Sequence, residues 1–289
     1  MDCKKVNILC LCTVRNRSEK TFNSIKKLKI ALEHVNAIHH KIIVVDDAST
    51  DNTIHMLNTN FPDIEIILGN GYLYWAGGMI KGFKKSWSDE YSHVLVFNDD
   101  SDFNVEKLID VFSLVETSGC NLNDSIMVGA FSDGEIHHVT YGVQIRKNRF
   151  LPYSFEVLPF SNSFQFGDTL NMNFALIPKP VIDKIGFLDE TFTHSMADFD
   201  FGLRAKKAGF NIVQLPEYIG ICPRNTKLNT WEDSSLTLHE KLKSLHNVKN
   251  FPPRERMHLL LRHAGLLMPI YFLYPYFKII FNSIIFRRK

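Results

Sequence analysis

The sequence predicts an α/β protein: a mostly parallel central sheet with a helical appendage at the C-terminus. Three observations predict it. Before Asn104, four short apolar runs are each followed by a stretch with apolar residues on one helical face. Each run breaks off in a polar or acidic turn, as strands do where a parallel sheet meets its ligands. Beyond residue 225 the strand pattern gives way to charged and then apolar helical segments.

Residues 6–13 read as the first strand. It closes in Val14-Arg15-Asn16-Arg17, and Ser18 is the expected N-cap of a helix burying Phe22, Ile25, Leu28 and Leu32. Residues 41–45 are the second strand, ending in Asp46-Asp47-Ala48-Ser49-Thr50-Asp51, before a helix with Ile54, Leu57 and Phe61 inward. Residues 64–68 are the third. A glycine-rich stretch follows, Gly69-Asn70-Gly71 to Trp75-Ala76-Gly77-Gly78, and opens a helix with Met79, Phe83 and Trp87 on one stripe. Residues 94–97 form the fourth strand, apolar on both faces, followed by Asn98-Asp99-Asp100-Ser101-Asp102 and a helix over 105–115. This alternation requires a parallel sheet with right-handed crossovers.

After Ser125 the pattern changes. Residues 126–130 and 136–145 read as β structure with a turn at Asp133-Gly134, and Asn171-Met172-Asn173 runs into a strand over 174–177. A short helix over 181–185 precedes Asp198-Phe199-Asp200, which opens a helix over 202–208 ended by Gly209.

Bulk properties narrow the function. The 289 residues, 45% hydrophobic and 22% charged, are ordinary globular composition. A net charge of +2 lacks the basic footprint of a nucleic-acid binder. The five cysteines (Cys3, Cys10, Cys12, Cys120, Cys222) show no C-x-x-C spacing and suit a reducing compartment. No secretory signal is expected at Met1-Asp2-Cys3-Lys4-Lys5. A nicotinamide-binding domain would need G-x-G-x-x-G after the first strand, and that turn has no glycine. The acids after the fourth strand suit a hard divalent cation bridging substrate phosphates, or else a solvated turn before a helix capped by Asn104.

Taken together, Asp46-Asp47-Ala48-Ser49-Thr50-Asp51, Asn98-Asp99-Asp100, and Asp198-Phe199-Asp200 with Arg204 and Gly209 resemble the family 2 glycosyltransferases. These are inverting, nucleotide-sugar-dependent enzymes of the GT-A fold. The stretch from Gly69 to Gly78 is similar to the rhamnosyltransferase-like branch that builds bacterial surface polysaccharides. The resemblance runs over about residues 6–225. It implies a GT-A catalytic domain over 1–225, with a nucleotide-binding half to about 115 and an acceptor-binding half over 116–225, and a helical region over 226–289.

The resemblance also assigns roles. Asp47, helped by Asp46, accepts the N3–H of a uracil or thymine ring, and Thr13 and Arg15 lie by the base and ribose. Asn70, Gly71, Trp75, Gly77 and Gly78 border the donor. Gly77-Gly78 at a helix start would offer free backbone N–H groups to a phosphate or sugar, and Trp75 would floor the pocket or else pack in the core. Asn98 stands where the family's metal motif has its first acid. Asp100 is then the expected ligand of Mg²⁺ or Mn²⁺, with Asp102 accessory and Asp99 on the donor. Asp198 is the expected general base, with Asp200 sharing the role or pairing with Arg204. Asn171, Asn173 and His194 are placed at the acceptor.

Residues 264–286 are long enough to span a bilayer, but Pro269, Pro275, Lys278 and Asn282 oppose this. Tyr271, Tyr274, Tyr276 and the terminal Arg287-Arg288-Lys289 suit an amphipathic helix lying on an anionic membrane; a buried helix is the other reading. The expected protein is cytoplasmic and peripheral on the inner face of the cell membrane. Its expected activity is transfer from a UDP- or dTDP-sugar to a lipid-linked glycan. A sugar-phosphate nucleotidyltransferase would show a glycine-rich loop with a catalytic Lys or Arg after the first strand. A non-catalytic glycan-binding protein would have lost Asp47, Asp100 and Asp198.

Overall fold

The computed structural model describes residues 6–118, 123–135, 138–148, 150–151 and 153–285. Cys3, Cys120, Ile136, Phe286 and the terminal basic triplet lie outside them. The strands are β1 (Val6–Val14), β2 (Ile38–Asp46), β3 (Glu65–Leu68), β4 (His93–Phe97), β5 (Asp102–Phe103), β6 (Ser125–Ser132), β7 (Val139–Tyr141), β8 (Val143–Arg146), β9 (Phe155–Val157), β10 (Gln165–Phe166), β11 (Thr169–Leu170), β12 (Phe174–Pro178) and β13 (Asn211–Ile221). The helices are α1 (Ser18–His34), α2 (Thr53–Asn60), α3 (Tyr74–Ser86), α4 (Val105–Ser118), α5 (Lys179–Ile185), α6 (Ala197–Lys207), α7 (Leu238–Leu245), α8 (Pro253–His263) and α9 (Met268–Ile285).

The main sheet runs β10-β13-β6-β12-β4-β1-β2-β3. Its β4-β1-β2-β3 half is parallel, as the alternation of apolar runs and helices requires. β12 is antiparallel to both β4 and β6, so the sheet is mixed and the fold is GT-A-like. The chain reaches β12 from the carboxyl end of β4, where Asn98 N–H donates to Asn173 O at 3.0 Å, and can only run back. A small sheet, β11-β8-β9, stands beside the main one.

Side chains of β1 alternate between two cores, as the period of two dictates. Ile8, Cys10 and Cys12 face the cluster containing α1 Ile25 and Leu28 and α4 Leu108 and Phe112. Leu9 and Leu11 face the cluster containing α3 Met79 and Ile80 and α6 Phe201 and Ala205. All five residues of β4 are buried. Each such Leu, Val or Phe contributes about 1.5–3 kcal/mol relative to exposure. Cys10, Cys12 and Cys222 are free, buried thiols.

Several local expectations change. Ser18 is the first residue of α1 and caps nothing; its N–H is 3.3 Å from Asp51 Oδ2. Asp51 serves the start of α2 by accepting from Thr53 N–H. Asn104 Oδ1 does accept from Lys107 N–H in the first turn of α4. Helix α3 starts at Tyr74 and α6 at Ala197, both earlier than their periodicity suggests. In α6 this places Asp198 and Asp200 inside the first turn.

The C-terminal helices pack onto the α/β core. Thr237 and Glu240 form a capping box for α7. Leu259 of α8 joins the α3–α6 core cluster. No helix among the described residues is long and apolar enough to cross a membrane. Along α9 and the turn before it, Leu266, Ile270, Leu273, Tyr274, Phe277 and Phe281 are exposed at helical spacing and form one stripe.

Candidate active site

A large cleft opens over the carboxyl ends of the parallel strands, where open α/β sheets place their ligands. It is lined from one side by Thr13, Arg15, Asp47, Trp75, Asp99 and Asp100, and from the other by Asn171, Asn173, His194 and Asp198. Asp46, Asn70, Gly71, Gly77, Gly78, Asp102 and Asp200 are not in its wall.

At the end of β4, Asp99 Oδ1 and Asp100 Oδ2 each lie 2.9 Å from the same atom, Arg17 Nη1. Asp99 is buried, and desolvation, partly offset by Arg17, pushes its carboxyl up to about 6. Two carboxylates converging on one cationic atom form a hard oxygen donor set, which fits Mg²⁺ or Mn²⁺. Asp102 is a correction: it starts β5, is exposed, and pairs with Lys27 of α1 at 2.5 Å, away from the cleft. Asn98 Oδ1 accepts from Trp75 Nε1–H at 3.0 Å, so Trp75 lines the cleft with its indole oriented.

The glycine turn is held through its backbone by two side chains. Asp47 accepts from Gly71 N–H at 2.8 Å and Tyr74 N–H at 3.0 Å, and Arg15 donates to Gly71 O. Asp47 therefore clamps the glycine turn while bordering the cleft. Asp46 is buried behind it, taking Ser49 N–H on Oδ2 at 2.9 Å, while Oδ1 has no partner among the described residues. Tyr72 N–H donates to Asn70 Oδ1 in a local turn.

The expected phosphate cradle at Gly77-Gly78 is absent. The first four N–H groups of α3 are all spent: Tyr74 on Asp47, Trp75 on His194 Nδ1 at 3.4 Å, and Ala76 and Gly77 on Thr193 O. Gly78 is needed for packing instead. A Cβ there would come within 2.4 Å of Thr13 Cγ2.

The acid pair of α6 divides. Asp198 faces the cleft, with Oδ2 accepting from Asn171 Nδ2 at 3.4 Å and Oδ1 taking Phe199 N–H at 2.8 Å. Desolvation raises its pKa above the usual carboxylate range. Met196, just before the helix, is held at φ +70°, a left-handed strain for a non-glycine residue. Asp200 is a correction as a sharer of the base role. Its side chain is fully buried and bound by Arg204 Nε at 2.7 Å, Arg262 Nη1 at 2.8 Å and His263 Nε2 at 2.9 Å. These partners hold its pKa below the usual range despite burial. Arg262 also reaches Asp189 at 2.7 Å, so α8 is ionically locked to α6 and to the turn before it.

His194 accepts on Nδ1, which leaves its proton on Nε2, and burial pushes its pKa down to about 4. It is neutral near pH 7. Asn171 links Asp198 to the small sheet, because Gln144 Nε2 donates to Asn171 Oδ1 at 2.9 Å. Asn173 is buried, with Nδ2 3.5 Å from Cys222 Sγ.

Residues that sequence reasoning missed include Arg17, Tyr74, Gln144 and Tyr153, all in the wall. Arg17 had a signal, since it shares the first strand-to-helix turn with Arg15. Tyr153 had none; it is half-buried beside Phe199 only because the chain folds back there. Apart from the cleft, Asp133, Glu135 and His138 bring ligand atoms within 4.8 Å of one another, a group consistent with holding a divalent ion. His138 Nδ1 already lies 2.6 Å from Asp133 Oδ2, and none of the three reaches the cleft wall.

The model of a family described as glycosyl transferase family 2 matches residues 20–167. The match takes in the acid pairs after β2 and β4 and stops before Asp198. No curated protein matches the chain.

Proposed function

The chain belongs to glycosyl transferase family 2, a family of nucleotide-sugar and metal-binding character, and from that premise we propose how its cleft transfers a sugar. The donor is a nucleotide-diphosphate sugar, UDP- or dTDP-linked, and the acceptor is a glycan hydroxyl. Asp198 takes the hydroxyl proton as the acceptor oxygen bonds to the anomeric carbon. The bond from that carbon to the diphosphate breaks, and the nucleoside diphosphate leaves with the electron pair, inverting the centre.

The observation that carries this reading is the division of the α6 acids. Only Asp198 meets the cleft, and its burial raises its proton affinity toward what a general base needs. Asn171 and neutral His194 are placed to orient the acceptor. Asp99 and Asp100 would hold Mg²⁺ or Mn²⁺, which when bound supplies positive charge to the departing diphosphate. Arg17 is the chain's own cation at that place. The Asp133 group suits a separate surface ion.

Release of UDP or dTDP from a panel of nucleotide sugars tests the reading. One sugar should be turned over by the wild type and not by Asp198→Asn, which still binds it; equal turnover by the variant removes Asp198 as the base.

We assign the acceptor to the lipid-linked class of the rhamnosyltransferase-like branch of surface-polysaccharide synthesis, with the exposed α9 stripe resting on an anionic bilayer of the inner membrane face. The terminal Arg287-Arg288-Lys289 adds matching charge. Flotation with phosphatidylglycerol vesicles should be lost in an Ile270→Ser/Phe277→Ser/Phe281→Ser variant. Flotation unchanged by these substitutions rules the stripe out.

A further inference from the structure

A second cavity, of about 460 Å³, joins the cleft on the Asp198 side. Tyr141, Gln144, Phe155 and Asn171 belong to both walls. Asn171 is the residue bonded to Asp198, so an acceptor whose hydroxyl sits at Asp198 has a route past Asn171 onto the small sheet. The cavity's own charged residues are Lys147, Glu156 and Arg224, which leaves one positive charge in excess.

The cations are not equally committed. Arg224 Nε donates to Thr140 O at 3.1 Å, which fixes the guanidinium at the cavity. Among the described residues its two Nη groups have no partner and it forms no ion pair. Lys147 Nζ is 3.7 Å from Glu156 Oε2, at the long end for a pair. Phe155 adds an aromatic ring, edge-on to Phe199 at 5.4 Å, with the Arg146 guanidinium over one face at 5.7 Å from the centroid and the other face left for a sugar. An arginine fork and an aromatic ring in one cavity wall match a sugar ring that carries an oxyanion.

We propose that this cavity is a second acceptor subsite, taking an anionic sugar whose carboxylate or phosphate is bound by Arg224 and Lys147 while its ring lies against Phe155. The proposal rests on the reading of Asp198 as the acceptor-side base. It specifies an acidic acceptor, bearing either a uronic acid or a phosphate near the hydroxyl that is glycosylated.

Calorimetry on the full-length protein, with UDP present to fill the donor site, tests it using D-glucuronate, glucose 1-phosphate and D-glucose. One of the two anions should bind about tenfold more tightly than glucose, the margin of one charge-assisted contact. A glucuronate margin identifies a uronic acid, and a glucose 1-phosphate margin identifies a phosphate. Arg224→Gln should erase the margin and leave UDP binding unchanged, which also shows that the variant is folded. Equal affinity for all three probes overturns the proposal, as does a margin that survives both Arg224→Gln and Lys147→Gln. The readout is binding, so it is separate from turnover by Asp198→Asn, on which the functional reading stands or falls.

Discussion

At the end of β4 both members of an acid pair, Asp99 and Asp100, reach the cleft; at the start of α6 only Asp198 does, and Asp200 is turned into the core. Geometry explains the difference. Asp99 and Asp100 follow a strand in a turn, where neighbours converge on one point. Asp198 and Asp200 lie on a helix, where a separation of two residues is about 200° around the axis. The counter-charges differ accordingly. Arg17 is 44% exposed and serves two carboxylates with one atom. Asp200 is enclosed by Arg204, Arg262 and His263. The first pair can exchange its partner for a cation, whereas the second is scaffolding for the residue two places before it.

Substitutions at α6 should have the largest effects. Asp198→Asn should lower kcat by about 10²–10⁴, the range of a lost general base, without shifting the thermal midpoint. Asp200→Ala should instead cost about 3–5 kcal/mol in urea unfolding, because it removes a fully buried carboxylate from three partly buried cationic partners. A stability loss for Asp198→Asn as large as that for Asp200→Ala would erase the distinction.

Acid sharpens the contrast. Asp200 and Asp189 have folded pKa values below their unfolded ones. Their stabilisation is complete above the ordinary carboxylate range and is lost as pH falls through the depressed folded values. Asp200→Asn should flatten that acid limb in pH-dependent unfolding. Asp198 shifts the other way, so kcat should rise with pH through a pKa above 3.8. At β4, Asp100→Ala should weaken metal-dependent nucleotide binding about tenfold, and full activity in chelator would discard the metal. The smallest effect belongs to Asp102→Asn. Its exposed pair with Lys27 is worth about 0–1 kcal/mol, and donor titration should not register its loss.

Most of the fold was legible because apolar periodicity reports burial directly: the four parallel strands, the Cys10–Cys12 face of β1 and the polar ends of β1, β2 and β4 all follow from it. The helix starts were less legible. Tyr74, which opens α3, and Met196, just before α6, sit at φ +53° and +70°, conformations that local propensity disfavours and tertiary contacts impose. Gly77-Gly78 reads as an anion cradle from composition alone. Thr193 O, which lies beyond β12 and far along the chain from α3, accepts from Ala76 and Gly77 N–H instead.

The sequence by itself determined that an α/β sheet would end in acids, and which acids those were, since residue type and period are local properties. Only the tertiary structure decided which of them face solvent and which face an arginine. Asp102 went to Lys27 and Asp200 to α8, whereas Asp47, Asp99, Asp100 and Asp198 line one cleft, Asp47 while also clamping a backbone turn. The physical reason is that a carboxylate's role depends on the partners brought to it, and those partners arrive from distant parts of the chain.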